Sequence, residues 1–242
     1  MYSSTSNPVF TSYIWRNTRG SKKMSLNGIL SKTFYTLFLV GLTTWYVWNL
    51  VHQGKNVKWY IYGGLFVALF FSILTSYKKR WAPVTVPIYG LAKGCFLGGI
   101  SAYAETRFPG LPMIAVKVSI ISFFVMLFLY KFRIVKVTHQ FRSVIYSAMA
   151  TIMVIYIISF ILRFFDIKLG IIYGTSWISI GFTLIAAAVA SFSLLLDFYY
   201  IDRQLHRAPK YMEWVATWGI LVSLIWMYVE VLRLLKKLAI KF

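Results

Sequence analysis

Six Asp and Glu stand against 26 Lys and Arg, and two of the acids, Asp197 and Glu230, interrupt long apolar runs in LLLDF and MYVEV. A carboxylate inside a membrane span is costly to keep there and points to an ion path, a proton relay or a counter-charge. The plainer reading places one or both at the water interface, anchoring a helix end. The sequence leaves both readings open.

Two basic residues share this setting. Lys93 lies near the middle of the apolar run 84–104, where an ammonium must face the protein interior and find a carboxylate, Asp197 or Glu230. Lys117 lies a few residues into the run 113–130 and can snorkel to the interface. Other chemistry has little to work with. His52, His139 and His206 all fall in predicted loops, which leaves an intramembrane serine protease without its base. No zinc-ligand spacing and no phosphate-binding glycine loop is present. Lys236 and Lys237 stand at the end of the last apolar run, not within it as a buried Schiff-base lysine would. The expectation is no enzymatic activity and no cofactor. The single cysteine, Cys95, excludes an internal disulfide.

The elements that must position these groups follow from composition. The chain is 59% hydrophobic and 13% charged, with mean hydropathy +0.69, against about 25% charged residues in soluble domains. Apolar runs of bilayer length fall at 33–51, 59–76, 84–104, 113–130, 143–160, 177–198 and 214–235. They are continuously apolar rather than alternating, which makes barrel strands the weaker reading. The fold class is therefore all-α, a polytopic membrane protein with seven transmembrane helices. Residues 1–25 read as a flexible cytoplasmic N-terminal tail without a cleavable signal pattern. Residues 26–242 read as one domain, because no linker interrupts them.

Orientation follows from the basic residues in the connections. Connections on the N-terminal side hold ten Lys and Arg against five on the other, which places the N-terminus in the cytoplasm. The clusters Lys78/Lys79/Arg80, Lys131/Arg133/Lys136 and Lys236/Lys237 sit at run ends, where they suit anionic lipid head groups. Nucleic-acid binding is not expected, because no basic face with interleaved aromatics is formed. Trp and Tyr near the run ends match interfacial belts. Gly90, Gly94 and Gly98, followed by Ala102, make a small-residue stripe that lets a second helix approach closely. Ala186 and Ala190 repeat it more weakly.

Three segments carry a resemblance. KKRWAPVTVPIYGLAKGCFLGGISAYAE (78–105), IGFTLIAAAVASFSLLLDFYYID (180–202) and APKYMEW with WMYVEVLRLLKKL (208–238) resemble the bacterial branch of the Bax inhibitor-1/YccA family, the transmembrane Bax inhibitor motif (TMBIM) proteins. The likeness runs from about Met24 to the C-terminus. It implies a seven-helix bundle with the last helix central, in the bacterial inner membrane, and a pH-sensitive calcium leak channel. It also implies an acidic pair that senses pH, one member ending the sixth helix and one in the seventh, with a basic latch at the inner end of the second. Residue by residue, the pair falls on Asp197 and Glu230, and the latch among Lys78, Lys79 and Arg80. Two close carboxylates cannot both ionise cheaply, so one of the implied pair would hold a proton until a cation or base replaces it. Such a pair would titrate as one unit, and its oxygens would suit transient calcium.

Two features depart from that pattern. About a turn centred near residue 208, Asp197 lies 11 residues before and Glu230 lies 22 after, an offset of roughly 16 Å along a simple hairpin. Direct contact would need a tilt, a break near Gly219 or a longer loop. Lys93 stands where related sequences often carry an acid, and it supplies an internal cation that competes with a permeant one. Two readings result: a regulated cation leak, or a non-conducting membrane protein whose membrane-protein partners belong to quality control or stress response.

Overall fold

The computed structural model describes residues 23–163, 165–167 and 169–242. The described chain is helical: α1 (Leu26–His52), α2 (Lys58–Tyr77), α3 (Ala82–Arg107), α4 (Leu111–Lys131), α5 (His139–Arg163), a single turn α6 (Gly170–Tyr173), α7 (Trp177–Gln204) and α8 (Met212–Lys241). A 3₁₀ turn over Lys79–Trp81 leads into α3. Seven of the helices are long and apolar enough to cross a membrane, as the apolar runs predict. α1 begins several residues ahead of its apolar run because Ser25 caps it, its hydroxyl oxygen accepting from the Gly28 amide at 3.1 Å. Local capping, not hydropathy, sets that boundary.

Most of the expected tail, through residue 22, lies outside the described residues. Residues 23–25, expected to be its flexible end, are fastened. Met24 is fully buried, its amide donates to the Ala208 carbonyl at 2.8 Å, and its carbonyl accepts from the His206 amide at 3.2 Å.

The structure divides into two compact units, one holding the described residues to Pro109 with Tyr200–Val222, the other Gly110–Tyr199 with Ser223–Phe242. The sequence suggests one domain because no linker separates the spans. The division falls inside two continuous helices, α7 and α8, which each contribute to both units.

In the first unit, α3 packs on both α1 and α2, and glycines make both approaches possible. A Cβ at Gly90 would lie 2.7 Å from Thr36 Cγ2, at Gly94 it would overlap Thr43 Oγ1, and at Gly98 it would lie 2.7 Å from the Thr44 carbonyl. The predicted stripe thus seats α1, and Thr44 Oγ1 donates across the contact to the Gly94 carbonyl at 3.1 Å. The α2 contact uses different glycines: a Cβ at Gly64 would lie 2.6 Å from the Ala92 carbonyl, and one at Gly99 would overlap Ile61. Close backbone approach is what holds apolar helices together where lipid supplies no hydrophobic driving force.

In the second unit, aromatic edges join neighbours. Phe198 of α7 meets Phe123 and Tyr130 of α4 at 5.7 and 6.0 Å between centroids. Phe141 and Tyr156 of α5 meet Phe192 and Phe182 of α7 at 5.9 and 6.2 Å. The most apolar window of α8 is 72% buried against 11–22% for α1, α2, α4 and α5, so polar groups on α8 face protein rather than lipid.

Candidate functional site

Asp197 and Glu230 are both interior, 1% and 0% exposed, which removes the reading that they anchor helix ends in water. Each accepts hydrogen bonds. Asp197 Oδ2 accepts a short hydrogen bond from the Ser223 hydroxyl of α8. Glu230 Oε1 accepts from the Tyr156 hydroxyl of α5 at 2.9 Å and the Trp226 indole at 3.0 Å. Its Oε2 accepts from the same hydroxyl at 2.8 Å and from the Arg233 guanidinium at 3.1 Å. Arg233 in turn lies 4.6 Å over the Tyr156 ring. Ser223 precedes Glu230 by seven residues, two turns or about 10 Å along the axis.

Ser223, which holds Asp197, and Glu230 lie on one side of α8, where residues seven apart nearly superimpose.

Lys93 is half-buried, and its ammonium lies 5.4 Å from the Phe96 ring centroid and 5.9 Å from that of Tyr89, both on its own helix. Among the described residues it forms no ion pair, contrary to the expected carboxylate partner. Aromatic faces one turn away on α3 stabilise a cation without a long-range contact. Lys117 is exposed on α4, as snorkelling requires. Of the three candidate latch residues, Lys78 is exposed with its ammonium 4.8 Å over the Trp81 ring. Lys79 is half-buried and Arg80 exposed, and all three belong to the junction of α2 and α3. Thr75 of α2 fastens that junction by donating to Thr85 of α3 at 2.6 Å.

Two further charged clusters escape the sequence analysis. Glu213, fully buried in the first turn of α8, forms a short ion pair with Lys32. Its Oε1 also accepts from the Ser25 amide at 2.9 Å and the Ser25 hydroxyl at 3.0 Å. In a local capping box the acid stands at the third helical position and reaches back to the cap amide. Here that position is Gly28, and Glu213 supplies the carboxylate from α8. The acid serves two helix N-termini, where the backbone dipole favours negative charge. Its place in PKYMEW, just ahead of the last apolar run, hides its burial.

The second cluster centres on Lys237, which is 5% exposed and donates to neutral oxygens of the segment around α6 and the start of α7. Standing beside Lys236, it reads from sequence as one of two basic residues at a helix end. Its position seven residues after Glu230 was the available signal. Ser223, Glu230 and Lys237 share one side of α8 at seven-residue intervals, with Trp226 and Arg233 between them.

A family model described as Bax inhibitor 1 like matches residues 7–240. No curated protein and no solved structure gives a match. With seven membrane-length helices, interior acids on the last two, and a match over nearly the whole chain, this multi-pass membrane protein belongs to the Bax inhibitor 1 like family.

Proposed function

We propose that the protein is a pH-sensitive cation leak, with calcium as the foremost permeant ion, and that Asp197 and Glu230 act on its path in series. The observation that carries this reading is the polar file along α8. Buried Asp197 of α7 accepts from Ser223 of α8, and buried Glu230 lies seven residues beyond Ser223 on that most buried helix, where it accepts from Tyr156, Trp226 and Arg233. A carboxylate held by donors is an acceptor that a cation can take over, and protonation removes that capacity. Serial weak sites, which let an ion enter and leave, are what conduction requires. We further assign the N-terminus to the cytoplasmic face of a bacterial inner membrane, on the basic residues of the connections, with anionic lipid along the basic helix ends. Lys78, Lys79 and Arg80 stand as the candidate latch, and no catalytic step is ascribed to the chain.

Reconstitution of the purified protein in liposomes loaded with a calcium dye, across a pH series, tests this. The expected result is calcium entry that changes with pH and is absent from protein-free vesicles. No entry at any pH would overturn it.

One observation favours a second reading, a non-conducting membrane protein that regulates others. Glu230 is closed by Arg233, Tyr156 and Trp226 together, the arrangement expected of a structural charge. Under that reading Arg233→Gln, which removes the cation from Glu230, produces no flux.

A further inference from the structure

The surroundings of Lys237 form a built site. Its ammonium donates to Ser179 Oγ and Thr183 Oγ1, each at 2.7 Å, to the Ser179 carbonyl at 3.1 Å and to the Ile171 carbonyl at 3.4 Å. Four oxygens meet three N–H donors, so the cage offers more acceptors than the ammonium can fill. The hydroxyls are oriented for this work. Thr183 Oγ1 spends its hydrogen on the Ser179 carbonyl at 2.9 Å. Ser179 Oγ has the Gly174 and Ile171 carbonyls at 2.7 and 2.8 Å to receive its own. The lone pairs of both therefore face inward. Ser179 and Thr183 are fully buried, and among the described residues no carboxylate touches Lys237.

We propose that this cage is a binding site for a primary ammonium, occupied here by Lys237 as a tethered ligand that fastens the end of α8 to residues 171–183. The chemistry excludes calcium as its occupant: the oxygens are all neutral, and their 2.7–3.1 Å spacing from the cation centre exceeds the about 2.3–2.6 Å of calcium ligation. A small alkylammonium presents the same three donors as the lysine tip and fits the same place once the tether is gone. The proposal stands apart from the leak reading, because it concerns cage occupancy and not flux.

Chemical complementation tests it. Purified Lys237→Ala in detergent should melt below wild type, and methylammonium chloride should restore most of the loss. Tetramethylammonium chloride and sodium chloride at the same ionic strength should not, since one has no N–H donor and the other no ammonium. Wild type should respond to none of them, and adding Thr183→Val to Lys237→Ala should abolish the rescue. Equal responses to methylammonium and tetramethylammonium, or no rescue of folded Lys237→Ala, would overturn the proposal.

A measurement on the unaltered protein guards against a variant that fails to fold. In folded wild type, acetylation of Lys237 by an amine-directed reagent, read by mass spectrometry, should be at least about tenfold slower than that of Lys241, because the caged amine reacts only on local opening. Equal rates would show that the cage does not hold.

Discussion

The carboxylate of Glu213 occupies the space into which a side chain on Gly28 would project. Gly28 is the third residue of α1, the position at which a local capping box carries its own acid. The missing side chain admits an acid from α8, so a local motif is completed through a long-range contact.

Gly28→Ala and Glu213→Gln should therefore damage the same interaction. Glu213→Gln leaves the Lys32 ammonium without its carboxylate. Breaking a buried pair costs about 3–5 kcal/mol, and the partial exposure of Lys32 puts the expected loss at the low end, about 3 kcal/mol. The double variant should lose less than the sum of the single losses, because the contact can be lost only once. Thermal unfolding in detergent measures this, and strict additivity would show that Gly28 and Glu213 act independently.

The glycine stripe separates from helix glycines that pack against nothing. Gly94→Ala and Gly98→Ala force a methyl into Thr43, the Val40 carbonyl and the Thr44 carbonyl, and should destabilise by about 1–3 kcal/mol. Gly41→Ala has open space around its new methyl and should gain up to about 1 kcal/mol from helix propensity. Equal effects at Gly41 and Gly94 in a melting series would refute the close approach of α1 and α3.

Lys93→Met should change stability by no more than about 1–2 kcal/mol, because it removes a cation from aromatic faces and not from a carboxylate. An effect of about 3–5 kcal/mol, the size for a broken buried ion pair, would restore the expected carboxylate partner. Under the leak reading, Lys93→Glu adds a cation ligand near mid-membrane and should raise calcium flux. Flux at or below wild type from folded protein would count against Lys93 as an internal competitor.

Asp197→Asn and Glu230→Gln each remove a titrating group while keeping its approximate shape. Because Asp197 accepts from Ser223 while Glu230 accepts from Tyr156, Trp226 and Arg233, each substitution should alter a different part of the flux-pH curve, and the double variant should combine both changes. Identical curves from the two single variants would indicate one coupled unit, and wild-type pH dependence in both would remove these acids from the sensor.

Several features were legible in the residues themselves. Seven helices and the Gly90, Gly94 and Gly98 stripe follow from run length and four-residue spacing, and the cost of charge in hydrocarbon singles out Asp197 and Glu230. Each is a property of one segment in its solvent, so one segment suffices to read it. Partner choice is not local in this way. Glu213 reads as a loop acid until Ser25, Lys32 and Gly28 close around it, and Lys237 reads as a surface base until residues 171–183 supply its oxygens. Which residue of α8 meets Asp197 depends on the level at which α7 packs on α8, and the contact with Ser223 is one that no hairpin count determines. The sequence by itself thus determined the spans and the small-residue face that allows close approach. Tertiary structure decided what each buried group touches, because a buried polar side chain is satisfied by whichever donors and acceptors the packed helices bring within about 3 Å.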